Sequence, residues 1–111
     1  MSDKPLVWVG SSLDDVRSFP IEARRVAGYE LRRVQSGLMP DDWKPMPSVG
    51  HGVCEIRIHV RTEHRVIYVA RFAEAVYVLH SFTKKTTRTA EADVELARRR
   101  LGQVVKERTR P

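Results

Sequence analysis

The chain has 111 residues, 41% of them hydrophobic, with 20 Lys+Arg against 14 Asp+Glu and a formal charge of +6. That length suits one domain spanning residues 1–111, with a core large enough to fold unaided, and the positive field draws polyanions, of which nucleic acid is the commonest in a cytosol. A lone cysteine (Cys54) excludes an internal disulfide, the Met-Ser-Asp-Lys-Pro start lacks a signal-peptide pattern, and no apolar run nears the ~20 residues of a membrane helix, so a soluble cytoplasmic protein is expected.

Pro5-Leu-Val-Trp-Val-Gly10 reads as a short strand stopped by Gly10, with Trp8 in the core. Ser12 and Asp15 then stand at the spacing of a capping box, opening a helix that Pro20 must end within a few turns. Pro20 suits the first turn of a second helix, along which Ala23, Val26, Ala27, Val34 and Leu38 keep a helical period up to Gly37. Residues 39–52 hold three prolines and two glycines and read as a structureless loop, a kind that is usually functional at such a length. Trp43 is placed to pin that loop down.

Three strand patterns follow. Over Val53–Arg61 the alternation is complete, with Cys54, Ile56, Ile58 and Val60 inward and Glu55, Arg57, His59 and Arg61 toward water. His64–Phe72 and Ala75–Phe82 are further runs rich in Val, Ile and Tyr, joined by hairpin turns near Thr62-Glu63 and Ala73-Glu74. The last segment keeps Val94, Ala97, Leu101, Val104 and Val105 at helical spacing to about Glu107. The predicted fold is α+β: a short N-terminal strand, a helical hairpin, a three-stranded antiparallel meander and a C-terminal helix, with helices on one sheet face.

The wet face of the sheet is where chemistry could sit. Glu55, Arg57, His59 and Arg61 line one strand, Arg65 starts the next, and His80, Phe82 and Lys84 share a face of the third. Arginines grip phosphate oxygens in pairs, and an aromatic can stack an unpaired base. The bland alternative is a solvated face of mixed charge, with Glu55 paired to Arg65 or Arg71. The basic run Arg98-Arg99-Arg100 is open to the same two readings, a solvated helix end or an anion site. His51, His59, His64 and His80 lack metal-ligand spacing, so neither metal nor cofactor is expected, and Cys54 reads as core. RNA cleavage is possible with these groups, because the substrate's own 2′-hydroxyl is the nucleophile and His, Lys, Tyr and Arg can move protons and hold charge.

Gly52-Val-Cys-Glu-Ile-Arg57, Arg65-Val-Ile-Tyr68 and Val78-Leu-His-Ser-Phe-Thr-Lys-Lys85 together resemble the phage-derived, HigB-like branch of the RelE/ParE toxin superfamily. The resemblance spans nearly the whole chain, and Phe-x-Lys-Lys is its most specific element. Where the family has a Thr-Pro pair before the last helix, this chain has Thr86-Thr-Arg-Thr-Ala90. The resemblance implies a RelE-like fold, a helix-turn-helix antitoxin as partner, and ribosome-dependent cleavage of translated mRNA. It also implies that Arg57 and Arg65 bind the scissile phosphate and that Lys84 and Lys85 supply charge or proton transfer. Tyr68 is a packing residue on this reading. RNA contacts are expected from Lys44, His59, Arg61, His80, Phe82, Arg98 and Arg99. Alternative functions within the superfamily are non-nuclease inhibition of DNA gyrase, as in ParE, and a degenerate homologue that only binds an antitoxin.

Overall fold

A computed structural model describes residues 3–110. In chain order it contains β1 (Leu6–Trp8), α1 (Ser12–Arg17), α2 (Ile21–Gln35), β2 (Trp43–Pro45), β3 (Val53–Val60), β4 (Thr62–Val69), β5 (Val76–Lys84) and α3 (Glu91–Arg108). The α+β class holds, but the meander is only the middle of a five-stranded mixed sheet, ordered β1-β5-β4-β3-β2. β1 adds in parallel to β5, and β2 adds antiparallel to β3 through Trp43↔Ile56, Lys44↔Glu55 and Pro45↔Cys54. The expected structureless loop therefore carries an edge strand. Its proline is tolerated there because an edge strand need not donate along its outer side.

The helices cover both faces, not one. Val16, Phe19, Ala23, Ala27, Leu31 and Val34 of the α1–α2 segment pack on Ile56, Ile58, Val66, Tyr68, Val76 and Val78. Alternate residues of the same strands, Val53, Ile67 and Val69 among them, pack on Val94, Ala97, Leu101 and Val104 of α3. Because strand side chains alternate sides, the two clusters lie on opposite faces of the sheet. α3 thus shelters part of the face expected to be wet, and Arg57, His59 and Lys84 occupy the part of that face it leaves uncovered.

Local signals set the ends of these elements. The turn between β3 and β4 is tighter than expected, with Val60 paired to Thr62 and Arg61 at φ 65°. The cap of α1 is Ser11 instead of Ser12. Ser11 Oγ donates to Asp15 at 2.8 Å, while Ser12 is buried and donates to the Val78 carbonyl at 3.1 Å. α2 closes in a Schellman turn: Gly37 N–H reaches Val34 O and Leu38 N–H reaches Arg33 O, with Gly37 at φ +88°.

Gly50, in the β2–β3 connection, is needed for a different reason. A β-carbon there would collide with Leu101 Cδ2 in the α3 core. Gly50→Ala is expected to destabilise the protein by about 1–3 kcal/mol, the usual cost of overpacking. In a Leu101→Ala background the same change should cost much less, and additive costs in urea unfolding would remove this explanation.

Candidate functional site

The register of the sheet sorts the polar side chains on the α3 side into rows. Arg57 pairs with Arg65 and Arg65 with Phe82; His59 pairs with Glu63 and Glu63 with Lys84; Glu55 pairs with Lys44 on one side and Ile67 on the other, and Ile67 with His80. Arg57, His59, Arg65, Phe82 and Lys84, expected together from sequence, are brought onto one face. His59 and Lys84 sit two strand spacings apart, about 10 Å between backbones.

A continuous chain of ion pairs ties this face together. Arg57 Nε donates to Asp42 Oδ1 at 2.9 Å, and Asp42 Oδ2 lies 2.5 Å from His59 Nε2. His59 Nδ1 lies 2.7 Å from Glu63 Oε1, which also sits 3.0 Å from Arg65 Nη2. Arg65 Nε is 3.6 Å from Glu55 Oε1, and Lys44 Nζ reaches the same oxygen at 3.8 Å. The other Glu55 oxygen accepts from Thr89 Oγ1 at 2.8 Å. The side chains of Glu55 and Arg65 are 0% and 4% exposed, so this pair forms the buried floor, whereas Arg57 is 39% exposed.

Two groups in this network are pushed in opposite directions. Hydrogen bonds to Glu63 first and Asp42 second hold the His59 imidazolium, raising its pKa above the ordinary 6.5. Desolvation lowers the Lys84 pKa, and Arg65 and Lys44 push the same way against Glu55 and Glu63. Partial burial pushes Asp42 upward, but His59 and Arg57 outweigh it and hold the carboxyl below its usual range.

For His59 the sign is definite. Its raised pKa means that its stabilising contact with Glu63 and Asp42 is fully present below pH 6.5 and fades as pH rises through the folded midpoint. An NMR titration should place that midpoint above 6.5 and move it down in Glu63→Gln. A midpoint at or below 6.5 in the parent protein would contradict the network.

The other sequence candidates are placed differently. His80 is buried, not solvent-facing: its Nε2 meets Asp93 at 2.7 Å and its ring stacks on Phe82 with centroids 4.8 Å apart. α3 explains this: His80 keeps the side of Phe82 and Lys84, where Asp93 of α3 covers it, and the register shift between Ile67 and Tyr68 adds Leu79 to the same side. Lys85 is exposed and lines a small cleft beside Lys84. Arg61 lies at the β3–β4 turn and pairs with Glu22 of α2 at 3.2 Å. Arg98 donates to the Ser48 carbonyl, which fastens α3 to the β2–β3 loop, and Arg100 donates to Leu79 O at 2.9 Å and Ser11 Oγ at 3.1 Å. Of that basic run only Arg99 is exposed with no ion pair among the described residues. Tyr68 and Cys54 lie on the other face, Tyr68 in the α2 core and Cys54 half-buried with its thiol pKa raised by burial. Sequence reasoning missed Asp42, whose only local signal was a position between prolines. Among the described residues no cluster of His, Cys, Asp or Glu could hold a metal, and no helix is long and apolar enough to cross a membrane.

The family model "Phage derived protein Gp49-like (DUF891)" matches residues 14–102. The chain belongs to the Gp49-like family. This family is associated with RelE-type toxins of toxin–antitoxin systems. No curated protein matches the chain. The match begins within α1 and ends within α3, so this Gp49-like chain carries its whole cationic face inside the family region, while β1 lies before it.

Proposed function

We propose that this Gp49-like protein is the toxin of a type II toxin–antitoxin pair, a HigB-like endoribonuclease that cuts mRNA on the ribosome. The observation that carries the reading is the placement of His59 and Lys84 on one face, either side of Glu63 and beside the row of Arg57 and Arg65. The raised His59 and lowered Lys84 pKa values both move toward the working pH, which suits a general acid and a general base.

In the proposed reaction the 2′-hydroxyl attacks the adjacent phosphorus. Neutral Lys84 accepts the 2′-proton as the 2′-O–P bond forms, and imidazolium His59, held by Glu63 at Nδ1, turns its Nε2–H from Asp42 to the substrate and gives that proton to the 5′-oxygen as the P–O5′ bond breaks. A 2′,3′-cyclic phosphate and a 5′-hydroxyl result, with no change of oxidation state. Arg57 holds the phosphoryl oxygens, and buried Arg65 adds charge from beneath. Phe82 offers a ring edge to an unpaired base, and Lys44, Lys85 and Arg99 attract flanking phosphates, with affinity falling as salt rises. The proposed partner is a helix-turn-helix antitoxin that keeps this face from the ribosome.

The test is controlled expression in bacteria with mapping of mRNA 5′ ends, comparing the parent protein with Arg57→Ala. Growth arrest with new in-frame cuts, both lost in a soluble Arg57→Ala variant, is the expected result. Arrest with intact transcripts would replace this reading with gyrase inhibition. No arrest would leave a homologue that only binds.

A further inference from the structure

A groove of about 630 Å³ opens beside the cationic face, between the β2–β3 segment and the connector from β5 to α3. That size is typical of small-ligand sites, roughly 300–1,000 Å³. One wall carries Lys44, Met46 and Ser48, the other Thr87 and Arg88, and Val94 of α3 contributes apolar surface between them. We infer that this groove is a nucleotide subsite, which takes the unpaired RNA base adjoining the scissile phosphate. The inference rests on the nuclease reading above and adds to it the source of base preference.

Three observations support this occupant. First, the groove is continuous with the proposed reaction centre: a cleft of about 160 Å³ shares Thr86 and Ala90 with it and opens on Lys84 and Lys85. A strand of RNA leaving Lys84 has a path into it. Second, the lining divides as a nucleotide does. Apolar Met46 and Val94 suit the flat face of a base, the Ser48 and Thr87 hydroxyls can each donate or accept at its edge, and Lys44 and Arg88 bring positive charge for a phosphate. Glu91 lines one end, so the lining is acidic there alone. Third, the walls are fastened from below. Buried Glu55 accepts from Thr89 on one wall and pairs with Lys44 on the other, so the groove keeps its width without a ligand.

The probe is a set of four ribotrinucleotides with a 2′-deoxy central sugar, which cannot be cut, differing in the base after that sugar. Added to isotope-labelled protein, they should shift the amides of Met46, Ser48 and Thr86–Thr89 together with those of Arg57 and Lys84. One base should bind best. Thr87→Trp, at an exposed rim position, should weaken that probe by about tenfold and level the four affinities. Ser48→Trp should do the same from the other wall, which guards against a local folding fault. Shifts at Arg57 and Lys84 without shifts in the groove would overturn the subsite and leave the nuclease reading standing. So would Trp variants that keep the parent's affinities, and the groove would then be open to a protein occupant. No shift on either surface would overturn both.

Discussion

Arg65→Ala should lower the free energy of unfolding by about 3–5 kcal/mol, because it strands a carboxylate that has no access to water. Glu55 is fully buried; without Arg65 it keeps only Lys44 at 3.8 Å and the Thr89 hydroxyl. A buried charge that loses its nearest cation costs more than the pair gains, so the loss should exceed that of Arg57→Ala, whose half-exposed pair with Asp42 is worth under about 1 kcal/mol. Urea unfolding reads the difference as a shift of midpoint at constant slope. Replacing both partners, as Glu55→Leu with Arg65→Met, should recover most of the loss, since an apolar pair of similar volume needs no counterion. An Arg65→Ala midpoint no lower than that of Arg57→Ala would show that the guanidinium is not the counterion of Glu55.

This prediction bears on how the site can be probed. Arg65 and Arg57 are neighbours in register and read alike in the sequence, as strand arginines on a polar face. Burial separates them. Arg65 is part of the floor, so its removal also costs stability, whereas Arg57 is open to a ligand. Loss of function in Arg57→Ala is therefore the more direct report on phosphate binding.

Much of the face was legible in the amino-acid order because strand periodicity is strict. The alternation in β3 placed Arg57 and His59 together, and the Phe-x-Lys spacing put Phe82 and Lys84 beside them. The covering of this face by α3 was legible only in part. β4 reads Val66-Ile-Tyr-Val69 without alternation, the pattern of a strand buried on both faces, and that run is what α2 and α3 enclose. β2 escaped notice because three residues ending in proline carry no periodicity. The parallel pairing of β1 with β5 joins segments about 70 residues apart, which no local pattern encodes. The bulge that sets Leu79 beside His80 under α3 likewise depends on the pairing of two strands. The basic run in α3 gives composition but not direction, and only the packed helix sends Arg98 and Arg100 to the backbone carbonyls of Ser48 and Leu79.

Lys84 offers the sharpest chemical test. If its amine accepts the 2′-proton, Lys84→Ala should lower cleavage by about 10²- to 10⁴-fold, the usual contribution of a general base. Lys84→Arg should be nearly as damaging, since arginine keeps the positive charge but is never deprotonated in a protein. A lysine that serves only as charge would give a different pattern, with arginine retaining most of the activity and alanine losing it. The desolvation that lowers the Lys84 pKa makes the first outcome the expected one, because it raises the neutral fraction available near neutrality. The pH profile of the parent protein supplies an independent check. Activity should be bell-shaped, requiring neutral Lys84 and protonated His59, and Glu63→Gln should shift the limb set by His59 downward. Cleavage by Lys84→Arg at close to the parent rate would remove Lys84 as the base and leave the proton to another acceptor on this face.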